Sequence, residues 1–394
     1  MHIKIYLVLF TFISCSLNAL NTSEKDYIDY FHKINSAELL IASSDYGKAL
    51  GVYEELIKTY PNHFYKDLHN ACVCALKLEK YDEALYFARD LVNHGYELKD
   101  FDSQAFDSFR NQKKYWGKFL SEYPRLRKQY EKNLNQPLRD KYMAMFKIDQ
   151  QAASAPNSIR EQDSMLYELA VSLSKLIKEQ GFPHWILNKD TINPHFYVLL
   201  RHYCGLKNRI TYSEELQQDS LYAQMKNNDI PLLMEQVLHK GLITPNIYEN
   251  VVTYWDNSNP YGRPAIMIDF NTEKVYPFLQ ADTAKIPEIN NRRAQIGLPA
   301  LKGQLSDSLL YSTWYKFYPF QEIKEAYLSC DTCNTISDFM DIRYPIEDKI
   351  RNKFSEKKEM DFILPDWTEI RDFHYMGTYK YTEPKLKKND TDTK

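Results

Sequence analysis

Two polar side chains stand on helical stripes that are otherwise apolar, and any chemistry in this chain starts with them. Asp149 continues the row Leu138, Tyr142 and Met145 at helical spacing. His202 follows Phe196-Tyr197-Val198-Leu199-Leu200 and precedes Tyr203, in a segment apolar on nearly every side and therefore expected to be buried. An unpaired polar group in such a place is costly, so Asp149 and His202 are expected to satisfy each other. A carboxylate–imidazole pair suits general acid–base work; a structural hydrogen bond in a helical core is the plainer account of the same residues. Arg292-Arg293 adds a second element: one guanidinium of a helical pair turns inward, to meet Asp149 or Asp256, and the other faces solvent. The inward arginine either closes an internal ion pair or clamps a substrate carboxylate bidentately. The candidate catalytic set is thus Asp149, His202 and Arg293, and the candidate binding set is Gln150, Asp256, Tyr261 and Arg292.

Other chemistries are excluded on the same reasoning. His195 shares a face with His202, but seven residues separate them by roughly 10 Å along a helix. One zinc ion takes ligands at about 2 Å, so no metal site is expected. Cys330-Asp-Thr-Cys333 is a lone C-x-x-C without a second pair or a strand–helix setting, which makes a local disulfide the plainer reading. Cys72, Cys74 and Cys204 lie in apolar helical stretches and read as small hydrophobes. No G-x-G-x-x-G or Walker loop, G-x-S-x-G elbow or H-E-x-x-H occurs, so no cofactor is expected. Fifty Lys and Arg against 53 Asp and Glu leave a net charge of −3, which supplies no field for a phosphate backbone; nucleic acid is not an expected partner.

These residues need helices to position them. Lys4 precedes an apolar run, Ile5 to Ile13, too short to span a bilayer, and Ser14-Cys15-Ser16-Leu17-Asn18-Ala19 follows. Residues 1–19 therefore read as a signal peptide. Two processing routes stay open: lipidation of Cys15, with Phe12-Ile13-Ser14 as an imperfect lipobox, or cleavage after Ala19. The expected location is the periplasm, or the outer membrane through a lipid anchor on Cys15.

Behind the leader, Asp45-Tyr46-Gly47-Lys48-Ala49-Leu50 matches Lys80-Tyr81-Asp82-Glu83-Ala84-Leu85, with an echo at Lys114-Tyr115-Trp116. Tyr46, Ala49, Tyr81, Ala84 and Tyr115 set a register of about 34–35 residues. Residues 24–130 resemble tetratricopeptide repeats, which implies stacked helical hairpins and a concave groove for a protein or peptide partner. Residues 137–302 read as a helical region. Its helices carry Leu138 to Asp149, Leu166 to Ile177 closed by Gly181, and Asn193 as N-cap to Gly205 as stop; further helices run at 232–239, from Pro245 and at 288–296. A small β-hairpin is expected at about 264–279, an aromatic-rich extension over 303–382 and a polar tail over 383–394. The fold class is mainly α: hairpin repeats, then a helical domain with a small hairpin.

Within 138–302, Asp149-Gln150, Gly181-Phe182-Pro183, His202, Tyr254-Trp255-Asp256, Tyr261-Gly262 and Ile289-Asn290-Asn291-Arg292-Arg293 leading into Ile296-Gly297-Leu298-Pro299 recur in one order. This pattern resembles an uncharacterised bacterial domain of unknown function found in exported proteins, and the resemblance implies a shared fold and pocket rather than a known reaction. The chain departs from it at Gln151-Ala152-Ala153 and at Asp256-Asn257, where the family pattern carries arginine. Two functions follow as expectations: a repeat-based interaction protein of the cell envelope, or a hydrolase or transferase built on Asp149, His202 and Arg293.

Overall fold

The computed structural model describes residues 26–154, 158–190, 192–254, 260–262, 264–269, 274–279 and 283–301, with the backbone alone described for the two strands. The leader with Cys15, Asp256, Cys330, Cys333, the 303–382 extension and the tail lie outside the described residues. What is described is mainly helical.

The first two hairpins are α1 (Tyr27–Ala42) with α2 (Tyr46–Thr59), and α3 (Tyr65–Lys77) with α4 (Tyr81–Asn93). Their turns repeat atom for atom. Ser44 and Glu79 both adopt positive φ, 62° and 57°. Asp45 N–H bonds Leu40 O at 2.8 Å and Lys80 N–H bonds Ala75 O at 2.9 Å. Ala49 and Ala84 then fall at the same place in the second helix, both fully buried, where a larger side chain would hold the paired helices apart.

The third unit differs. Its first helix is replaced by 3-10 turns at Leu98–Asp102 and Gln104–Phe106 and the five-residue α5 (Asp107–Asn111), before the long α6 (Lys113–Asn133). Thirty-five residues beyond Ala84 and Leu91 stand Phe119 and Leu126, both buried. With no full helix pressing close, Phe119 fills the space against Phe101 and Phe109, at ring separations of 4.8 and 5.8 Å. Tyr46 and Tyr81 open their helices, whereas Tyr115 lies two residues inside α6, stacked on Tyr81 at 5.5 Å. Trp116 stands thirty-five residues beyond Tyr81, as Tyr81 stands thirty-five beyond Tyr46.

The second region runs α7 (Gln136–Ser154), α8 (Ile159–Gln180), α9 (Asn193–Tyr212), α10 (Glu214–Gln217), α11 (Ser220–Met225), α12 (Ile230–His239), α13 (Pro245–Val252) and α14 (Ile286–Gln295). Between α13 and α14, β1 (Pro264–Asp269) pairs antiparallel with β2 (Lys274–Leu279), Pro264 opposite Leu279 and Asp269 opposite Lys274. Two expectations for α9 need correction. Its N-cap is Ile192, with Asn193 the first helical residue, and the helix passes through Gly205 to Tyr212. A helical glycine costs about 1 kcal/mol; burying Leu206 and Ile210, both fully covered beyond it, outweighs that.

One hydrophobic core runs from Tyr27 to Leu298 through both regions. The second region docks on the edge of the repeats formed by the starts of α1 and α3 and the ends of α2 and α4, opposite the tight turns. There His239 Nδ1 lies 2.9 Å from the Asp26 carboxylate, Asn62 Nδ2 donates to Lys240 O at 3.0 Å, and Asn35 Nδ2 donates to Gly297 O at 2.9 Å. Lys189 N–H donates to His94 O at 2.8 Å, and Tyr130 donates to Asp190 at 3.2 Å. Every residue of α3 from Asp67 to Leu76 is buried, so neither face of that helix is open.

Two predictions arise here. Burial pushes the thiols of Cys72, Cys74 and Cys204 up, that of Cys74 to about 12. Since the thiolate is the nucleophile, peptide-mapped alkylation at neutral pH should leave all three unlabelled in the native protein and label them in denaturant. Native-state labelling of Cys204 would show that α9 is not buried as described. The second concerns Asp229. Burial works against its charge, yet hydrogen bonds from Lys178 and Ser174 on α8 hold its carboxyl below the usual value. A depressed folded-state pKa gives stability that is present above the unfolded value and lost as pH falls through the folded one. Asp229→Asn should therefore lower the denaturation midpoint at neutral pH, and the gap from wild type should close below about pH 4. A gap that persists in acid would assign the effect to packing.

Among the described residues no helix is long and apolar enough to cross a membrane.

Candidate functional site

The site forms where α7 crosses α9. Leu138, Tyr142, Met145 and Asp149 all point into the core from α7. The Tyr142 ring meets Phe196 edge-on at 4.8 Å and Trp185 at 5.7 Å, which fixes the helix in rotation. About two turns further on, Asp149 therefore arrives opposite His202. Its Oδ2 and Oδ1 lie 3.0 and 3.1 Å from His202 Nδ1, and Gln150 Nε2 donates to Oδ2 at 2.9 Å. Asp149 is fully buried, while the His202 side chain keeps 19% of its exposure.

An ionised carboxylate only accepts hydrogen bonds, so beside it Nδ1 carries the hydrogen and Nε2 of the neutral imidazole becomes the basic nitrogen. Nε2 makes no hydrogen bond among the described residues. The negative charge of Asp149 is felt nearby: burial first, and then that charge, push the Tyr203 phenol up. The Tyr254 ring closes one side, its centre 6.2 Å from that of His202. His195, two turns earlier on the same face of α9, lies tilted against Phe146 with ring centres 4.4 Å apart. Among the described residues no group of three His, Cys, Asp or Glu side chains is placed to hold a metal ion.

The double arginine divides as its position on a helix dictates, with Arg293 buried and Arg292 partly exposed. Arg293 Nε donates to Pro299 O at 2.7 Å and its Nη1 to Tyr261 O at 2.9 Å. Arg292 Nε donates to Pro260 O at 2.5 Å, and its Nη1 pairs with Glu288 at 2.6 Å. These bonds tie α14 to the Pro260-Tyr261 turn, so Tyr261 enters through its backbone carbonyl. Within the candidate set, direct hydrogen bonds join Asp149 with His202 and Gln150, and separately Arg293 with the Tyr261 carbonyl; the other arginine bonds described run to Pro260, Glu288 and Pro299.

Arg201 was not legible as a site residue. Its guanidinium lies 4.8 Å over the Tyr254 ring and borders a cavity of about 180 Å³ between the start of α3 and the helices α9 and α13. No family model, curated protein or solved structure matches the chain. The site therefore stands on its own geometry. The signal that could have found Arg201 is a cationic residue in a largely apolar helix, since such a charge requires a partner that the local sequence does not supply. Beside His202 it was masked by the more familiar imidazole.

Proposed function

We propose that the chain is a tetratricopeptide-like interaction protein of the cell envelope, exported behind its leader and binding a protein or peptide partner through its repeats. The observation that carries this reading is the duplicated turn: Ser44 and Glu79, with Asp45 to Leu40 and Lys80 to Ala75, recur at one offset. That is how stacked hairpins keep a register. Because α3 is buried on all sides, the partner surface belongs to α1, α2, α4 and α6 rather than to an open groove along α3. The resemblance of 138–302 to an exported domain of unknown function agrees with a cell-envelope setting and names no reaction. Hydrogen exchange of the full mature chain, alone and with a partner purified from envelope extract, tests the proposal. Protection on the exposed faces of those four helices is expected. Protection confined to α7–α14, or the absence of any saturable partner, contradicts it.

A second reading, hydrolase or transferase, is favoured by one observation: His202 offers Nε2 while Asp149 holds Nδ1. In it His202 is the general base and Asp149 its orienting group. Model esters, amides and phosphates would be screened with wild type and His202→Asn, a loss of about 10²–10⁴ in turnover being expected for a general base. Turnover that is equal in the two proteins, or absent from wild type, removes this reading.

A further inference from the structure

The cavity of about 180 Å³ at the junction has walls of two kinds. Val198, Ile247 and Val251 make it apolar on the α9 and α13 sides, joined by Ile186 from the 3-10 turn His184–Leu187 before α9. The charged residues around it are matched with one exception. Lys66 pairs with Glu38 at 3.4 Å, Lys189 with Asp100, and Asp190 with Arg139. Arg201 has no carboxylate among the described residues, and its Nε is buried without a hydrogen bond. Arg139 and Arg209 also bury an unpartnered Nε, but each sets another nitrogen on a carboxylate, Asp190 and Asp163.

A second buried atom in the same wall lacks a partner. Asn193 is 8% exposed; its Nδ2 donates to Asn188 O at 2.8 Å, while its Oδ1 accepts nothing. Buried polar atoms in folded proteins are satisfied by protein, water or ligand, and here one is a cation and the other an acceptor. They sit eight residues apart on α9, about 12 Å along the axis, a span that the Arg201 side chain shortens by leaning toward the helix N-terminus.

We propose that this cavity binds a small, elongated organic carboxylate: an anionic head on Arg201, an apolar body between Val198 and Val251, and a hydroxyl or N–H at the far end donating to Asn193 Oδ1. The volume is of the order that holds a single ring, since a cavity of about 150 Å³ takes benzene. The site is independent of the partner surface proposed for the repeats.

Calorimetry on the full mature chain tests it with para-hydroxyphenylpropionate, its uncharged amide, phenylpropionate and a set of aryl and acyl monocarboxylates of similar size. The hydroxylated acid should bind saturably, and the amide at least about tenfold more weakly. Arg201→Gln should weaken the acid by about ten- to a hundredfold, as expected for loss of a charge-assisted hydrogen bond. Without ligand, Arg201→Gln should lower the denaturation midpoint much less than Arg209→Gln, because among the described residues it breaks no ion pair and loses only the contact with the Tyr254 ring, whereas Arg209→Gln leaves the buried Asp163 without its ion-pair partner. Equal binding of phenylpropionate and its hydroxylated form would remove Asn193 from the site. Failure of every carboxylate to bind at millimolar concentration, or unchanged binding by Arg201→Gln, would overturn the proposal.

Discussion

Replacing Gly241 by alanine is expected to destabilise the chain by about 2–5 kcal/mol, from left-handed backbone strain together with overpacking. Gly241 has φ 63°, and a Cβ there would sit 2.0 Å from Tyr27 Cδ1. The ring cannot easily yield. It packs against Tyr60 at 4.9 Å and Tyr30 at 5.3 Å, and its hydroxyl accepts from Asn62 N–H at 2.7 Å. The clash lies between the turn after α12 and the first residue of α1, so it tests the docking of the second region on the repeats. Chemical denaturation measures the loss, and a Tyr27→Ala background should absorb part of it, giving less than additive effects. A cost under about 0.5 kcal/mol, the level of ordinary surface changes, would mean that this contact does not hold the two regions together.

The second large effect is expected for Asp163→Ala. Asp163 is 1% exposed, pairs with Arg209 and accepts from the Tyr222 hydroxyl at 2.9 Å, joining α8, α9 and α11. Removing one partner of a buried pair costs about 3–5 kcal/mol. Arg209 keeps 32% of its side-chain exposure, which lets water take over some of its hydrogen bonds and places the loss near the bottom of that range. Asp149→Ala makes the informative comparison. It leaves a part-exposed imidazole and an amide in place of a guanidinium, and should cost only about 1–2 kcal/mol. If Asp149→Ala costs as much as Asp163→Ala, the Asp149–His202 pair is a packing device.

What the sequence revealed was local. Leu138, Tyr142, Met145 and Asp149 share one face of α7 because helical spacing alone decides it, and His202 was the one imidazole placed to meet that row. Gly181, read as the close of its helix, does end α8 with positive φ. Gly205 misled because the gain in burying Leu206 and Ile210 depends on helices far away in sequence. The packing of the third unit was not legible, because the echo at Tyr115 follows residue identity, whereas packing follows volume, and the buried residue thirty-five beyond Ala84 is Phe119. Long-range polar matching left no trace: nothing in the sequence pairs Arg209 with Asp163, or sets Arg201 apart from the other arginines.

That the repeats and the second region fold as one body is most directly tested by equilibrium unfolding of the full chain labelled with fluorotryptophan. Trp116 reports on the third repeat unit, stacked on Phe119, and Trp185 on the second region, against Tyr142. The continuous core predicts that the two native resonances vanish at the same denaturant concentration. Loss of one while the other keeps its native shift would show two separate folding units and contradict it.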